Sequence, residues 1–209
     1  MRFEFVSETQ STIPIPENYK DCIELIRSDY YRYKGKKCSI FKMFSYTLVT
    51  SHFGFQFWFR LSSIKGWLYY FSLFFHRLYY LRYGLQIKPG TKVGYGLYLS
   101  HGFGIIVNPS AIIGNNCNLS QFSTIGSVRE NAAIIGDNVY VGPSVCVVGN
   151  VIIQSDSIVG AGSVVTHNVP MGATVAGVPA RVLPTKDHIS YVNNRWVYED
   201  TRRYEDTNS

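Results

Sequence analysis

The sequence predicts a mainly β protein: a parallel β-helix of six-residue repeats, preceded by an α-helical N-terminal segment. Three observations predict it. An aliphatic residue returns at every sixth position from Ile87 onward, a small residue often follows it, and the upstream residues place apolar side chains at mixed three-to-four spacing instead.

The aliphatic series runs Ile87, Val93 and Leu99, then, after a two-residue insertion, Val107, Ile113, Leu119 and Ile125. Four extra residues intervene before Ile135, Val141, Val147, Ile153, Val159, Val165 and Met171. All 14 leads are aliphatic, where an average chain offers roughly one such residue in four. Each hexad reads as a short strand plus a turn, and three hexads close one triangular coil. The lead points inward and stacks on its equivalents in the coils above and below. Gly94, Gly114, Gly136, Gly142 and Gly160 follow leads directly; a small residue there is expected to turn the corner, often with φ > 0. Residues 87–182 have room for five coils.

Ahead of the coils, residues 17–34 and 41–83 read as helices, separated by the polar break 34–37 around Gly35. Two uncharged stretches, 43–59 and 66–75, are 17 and 10 residues long, short of the about 20 a membrane span needs. They are expected to be buried or oligomer-facing, with peripheral membrane contact as the alternative. The domain organisation expected is therefore 1–86 helical, 87–182 β-helix, and 183–209 a polar C-terminal extension.

Charge and cysteine content narrow the function classes. The net charge is +6, and residues 1–86 hold 12 Lys/Arg against 6 Asp/Glu together with 23 of the 32 aromatic residues. Such a segment suits an acidic partner or an aromatic helical core with a solvated basic face. The second is the expectation, and nucleic-acid binding is set aside. Cys22, Cys38, Cys117 and Cys146 are scattered with no metal-ligand spacing, so free thiols and no metal are expected. No basic-then-apolar leader opens the chain, and the expected compartment is the cytoplasm.

Several stretches together carry a family resemblance: residues 87–101 (IKPGTKVGYGLYLSH), 135–142 (IGDNVYVG), 159–166 (VGAGSVVT) and 176–181 (AGVPAR), with 28–32 (SDYYR) and 55–60 (FQFWFR) in the helical segment. They resemble the hexapeptide-repeat acyltransferases, and within them the serine acetyltransferase-like branch. The resemblance implies left-handed coils, acetyl-CoA as donor, and assembly as a homotrimer or a dimer of trimers.

Acyl transfer from a thioester to a hydroxyl needs a base, donors for the oxyanion, and an acid for the leaving thiolate. One histidine can serve as base and then acid, since its pKa lies near neutrality. His52 and His76 sit in aromatic helices, where a packed role is expected, and His188 lies in the polar tail. His101 stands beside the insertion after Leu99, where broken stacking lets a side chain project into a cleft. It also matches the branch's catalytic histidine. The galactoside and maltose acetyltransferase branch carries its histidine in the later loop, here 126–133, which has none.

The resemblance also supplies further positions, and departures from it. The residue orienting the imidazole falls at Gln86, and the one before the histidine at Ser100, where serine acetyltransferases have aspartates. Arg129 is the one basic residue available in the four-residue insertion, and Asp29 is the remaining acidic contact for serine. Gly126 is the candidate oxyanion donor through its N–H. Pantetheine is implied to lie between coils at Ala161, Thr166 and His167, with Arg181 on the cofactor phosphates. A free amino acid needs complements for two charges. The departures therefore favour a sugar hydroxyl in polysaccharide biosynthesis as acceptor, with serine O-acetylation, amino-sugar N-acylation and a non-catalytic scaffold as alternatives.

Overall fold

The computed structural model describes residues 1–127, 131–184 and 191–198. Strands and helices are numbered along the chain. β1 (Arg2–Val6) and β2 (Ser11–Ile15) pair antiparallel. This hairpin is a feature the repeat-based reading does not anticipate. It lies along the coils: Glu4 pairs with Lys92, and the Thr12 carbonyl accepts from Asn115.

Four helices follow, α1 (Tyr19–Lys34), α2 (Ile40–Thr47), α3 (Ser51–Leu61) and α4 (Tyr69–Tyr83). Asn18 caps α1 by accepting from the Asp21 N–H, and Gly35 closes it with φ 63°, a left-handed residue at the expected polar break. Segment 41–83 divides into three helices because hydroxyls at each junction turn back onto the chain. Thr50 bonds the Tyr46 carbonyl, and Ser62 and Ser63 both bond that of Phe59. An aromatic core joins these helices, with Tyr30, Phe53, Phe57 and Trp58 buried together. No helix among the described residues is long and apolar enough to cross a membrane.

From Gln86 the chain winds into a left-handed parallel β-helix of hexapeptide repeats with three faces. The first face stacks β3 (Gln86–Ile87), β6 (Ile106–Val107), β9 (Thr124–Gly126), β12 (Cys146–Val148) and β15 (Val164–Val165). The second stacks β4 (Lys92–Val93), β7 (Ile112–Ile113), β10 (Ile134–Ile135) and β13 (Ile152–Ile153). The third stacks β5 (Tyr98–Ser100), β8 (Asn118–Ser120), β11 (Tyr140–Val141), β14 (Ile158–Val159) and β16 (Thr174–Gly177), to which β17 (Ala180–Val182) adds antiparallel. The leads from Ile87 to Val165 are all buried in one core. Each such side chain contributes about 1.5–3 kcal/mol of transfer free energy.

Two expectations about the repeat need correction. Met171 is 64% exposed. The chain cuts the corner after Val165 by two residues, so Val169 pairs with Ile153 and Val175 with Val159. The corner conformation also lies elsewhere than expected. Positive φ falls three residues after a lead, at Gly90, Gly96, Asn116, Phe122, Asn138, Ser144, Asp156 and Gly162, and at Gly172 counted from Val169. The glycines directly after leads are small for another reason. A Cβ on Gly114 would lie 2.5 Å from the Gly136 backbone, and one on Gly94 2.6 Å from that of Gly114. They let one coil seat on the next.

Candidate active site

His101 follows β5, where the chain passes from the third face to the first through the two-residue insertion. Its backbone is left-handed (φ 54°) and its side chain is exposed. The loop around it is fixed from three sides. Gly104 donates to the Tyr83 carbonyl at the end of α4 (2.9 Å), and Phe122 donates to the Phe103 carbonyl from the next coil (2.9 Å). Gly102 is buried against α3, where any Cβ would collide with His52. The Phe103 ring meets Tyr83 and Phe122 edge-on. An exposed imidazole on an anchored loop is placed to take up and return a proton.

His52 is the neighbour that sequence reasoning missed. Its ring packs on Tyr33 (5.1 Å between centroids), which lies on Tyr98 (4.5 Å). Burial pushes the His52 pKa down, and the nearby His101 pushes it further. The only trace of this contact in the sequence is that residue 102 is glycine.

The other positions divide. Ser100 is half-buried in β5 beside His101 and pairs with Ser120. Gln86 lies on the first face opposite Ile106. Gly126 ends β9 opposite Val148, and its carbonyl accepts from Gly149 (3.3 Å). Arg129 and His188 lie outside the described residues.

Asp29, expected as a substrate contact, is fully buried here: it pairs with Arg60 and accepts from the Leu97 N–H (2.8 Å). Burial, the largest influence, raises its pKa; Arg60 and the Leu97 N–H oppose this.

The donor positions are split between two edges of the prism. Ala161 is exposed on the same edge as His101, three coils along, roughly 14 Å away at one strand spacing per coil. Thr166 and His167 lie on the edge between the first and second faces, hydrogen-bonded to each other at 2.9 Å. Arg181 is exposed on β17 and donates to its own neighbour's carbonyl at Ala180 (3.1 Å). A cavity of about 630 Å³ lies on the third edge, between Tyr95, Asn115, Asp137, Trp196 and Tyr198, and contains none of these residues.

Residues 132–167 match a protein-family profile described as "Bacterial transferase hexapeptide (six repeats)". The serine acetyltransferase of Synechococcus elongatus is 36% identical over 104 residues, which are 48% of this chain and 43% of the relative. The chain thus spans under half the length of that relative. The solved serine acetyltransferase of Neisseria gonorrhoeae in complex with serine is 27% identical, with a TM-score of 0.64 over 78% of this chain and 69% of that one. A serine acetyltransferase complex with CoA shares the fold, at 24% identity and a TM-score of 0.65 over 78% and 70%. These similarities correct the expected sugar acceptor. These relatives and structural neighbours are serine acetyltransferases, which fits the serine alternative rather than a sugar in polysaccharide biosynthesis.

Proposed function

We propose that the chain is a serine O-acetyltransferase that moves acetyl from acetyl-CoA to the serine hydroxyl, with His101 as general base. The observation that carries this reading is the exposed His101 imidazole on an anchored loop, within a repeat body similar to serine acetyltransferases. The imidazole accepts the hydroxyl proton as the serine oxygen attacks the thioester carbonyl. When the tetrahedral adduct collapses, the carbon–sulfur bond breaks and the same proton passes to the departing CoA thiolate, leaving O-acetylserine and free CoA.

The working form in this reading is a homotrimer. The first face exposes Ile106 and Val148 beside half-buried Thr124, Cys146 and Val164, a surface suited to burial at a threefold axis. With that face inward, the edge bearing His101 and Ala161 meets the neighbouring copy's edge bearing Thr166 and His167. The donor positions divided between edges in one chain then come together between two.

The test is thiol release from acetyl-CoA with free L-serine as acceptor. His101→Asn is expected to lower kcat by about 10²–10⁴-fold with an unchanged melting temperature. Serine-independent thiol release, or full activity in His101→Asn, overturns the reading.

A further inference from the structure

The helical segment carries an apolar face that nothing among the described residues covers. On α4 and the turn before it, Trp67, Phe71, Phe74, Leu78 and Leu81 recur at spacings of four and three, and all are exposed, from 44% at Leu78 to 84% at Trp67. Tyr70 widens the stripe. Phe44 on α2 touches Trp58 edge-on, and Trp58 in turn touches Phe71, so the exposed Phe41, Phe44 and Leu48 continue the same surface. The result is a broad patch across two helices rather than a narrow seam. Monomer surfaces rarely leave so much contiguous apolar area open without a partner.

The charges around the patch select the partner. Lys42, Lys65, Arg77 and Arg82 are exposed around it, and none has an ion-pair partner among the described residues. Residues 30–129 contain no Asp or Glu at all. A second copy docked through α2 and α4 would bring like charges together, with no carboxylate on those helices to neutralise them. Aromatic rings flanked by Lys and Arg on α2 and α4 instead match the interface of a membrane carrying anionic lipids, where rings sit at headgroup level and Lys and Arg meet phosphate.

We propose that the outer faces of α2 and α4 form a docking surface for an anionic lipid bilayer, on which the protein lies without crossing it. The inference stands independently of the acyl-transfer reading. The test is co-sedimentation of the whole protein with vesicles of pure phosphatidylcholine and vesicles containing phosphatidylglycerol, at low and high salt. Binding is expected to the second only, and to weaken as salt screens the rim. Phe74→Gln with Leu81→Gln, and separately Arg77→Gln with Arg82→Gln, are expected to lower the partition coefficient at least about tenfold with unchanged circular dichroism. No binding to anionic vesicles overturns the proposal, as does equal binding to both compositions or by the variants. So does a doubling of the oligomer's mass in lipid-free solution that Phe74→Gln with Leu81→Gln abolishes, which assigns the face to a second copy.

Discussion

Asp29 and Arg60 form a two-pronged ion pair out of reach of solvent, with Arg60 Nε 2.9 Å from one carboxylate oxygen and Nη2 3.0 Å from the other. The remaining guanidinium donors reach the Val93 and Gly94 carbonyls, and the carboxylate also takes the Leu97 N–H. The pair therefore pins α1 and α3 onto the first coil, with four of the five guanidinium N–H groups donating. This is what fixes the helical segment over the coil that carries His101.

Asp29→Asn is expected to leave an uncompensated buried guanidinium and to lower stability by about 3–5 kcal/mol, read by thermal or urea denaturation. Protein that remains folded is expected to keep the wild-type KM for its acceptor. A raised KM with unchanged stability would return Asp29 to a substrate-binding role.

Arg32 ties together three parts of the chain. Its guanidinium donates to the Gly96 carbonyl (2.6 Å), to the Asn118 side chain (2.6 Å) and to the Asn193 carbonyl in the C-terminal segment (2.9 Å). Burial lowers its pKa to about 10, which leaves it charged at neutral pH. Lys lacks the planar fork needed to hold three acceptors at once. Arg32→Lys is expected to loosen residues 191–198, with cleavage there about tenfold faster in limited proteolysis. An unchanged cleavage pattern would show that the remaining ties suffice, among them the hydrogen bonds that Asn116 exchanges with Trp196 and the Asn118 amide on the Tyr191 carbonyl.

The repeat was legible because one side chain in six must face inward, and that demand overrides local propensity. The count failed at Met171 because the shortened corner left another aliphatic residue in step. The left-handed positions held the missing clue: Asn116, Asn138, Asp156 and Gly172 are residue types that tolerate that conformation, and Gly172 stands three past Val169. The exposure of His101 was legible because an insertion disturbs the period there. The burial of Asp29 and the approach of His52 depend on which helix face meets the first coil, and sequence spacing within one helix carries no such information.

Glycines one position after a lead are expected to differ sharply. On Gly114 a Cβ would stand 2.5 Å from the backbone of the next coil, so Gly114→Ala is expected to cost at least about 2 kcal/mol. On Gly126 the nearest atom is the Val147 carbonyl oxygen at 3.7 Å, so Gly126→Ala is expected to change stability by under about 0.5 kcal/mol. Urea denaturation of both variants checks the pair. Equal costs would show that the column is glycine for a reason other than coil stacking.

The buried histidines predict how stability responds to acid. His76 is 4% exposed, lies on Phe55 (4.8 Å between centroids), and places Nε2 3.0 Å from the Ile87 carbonyl. Burial lowers its pKa; the Ile87 contact raises it by less. A depressed pKa means that the unfolded chain binds the proton first. Above the ordinary histidine value of about 6.5 both states are neutral and stability is fully present. As pH falls below it, the unfolded state gains a proton that the native state refuses, and stability drops by up to about 1.4 kcal/mol per pH unit from His76 alone. The half-buried His52, also depressed, adds to the loss in the same direction. The midpoint of urea unfolding is therefore expected to fall between pH 7 and pH 5, and His76→Gln to flatten that slope while lowering stability at pH 7. A slope that His76→Gln leaves unchanged would assign the acid response to other groups.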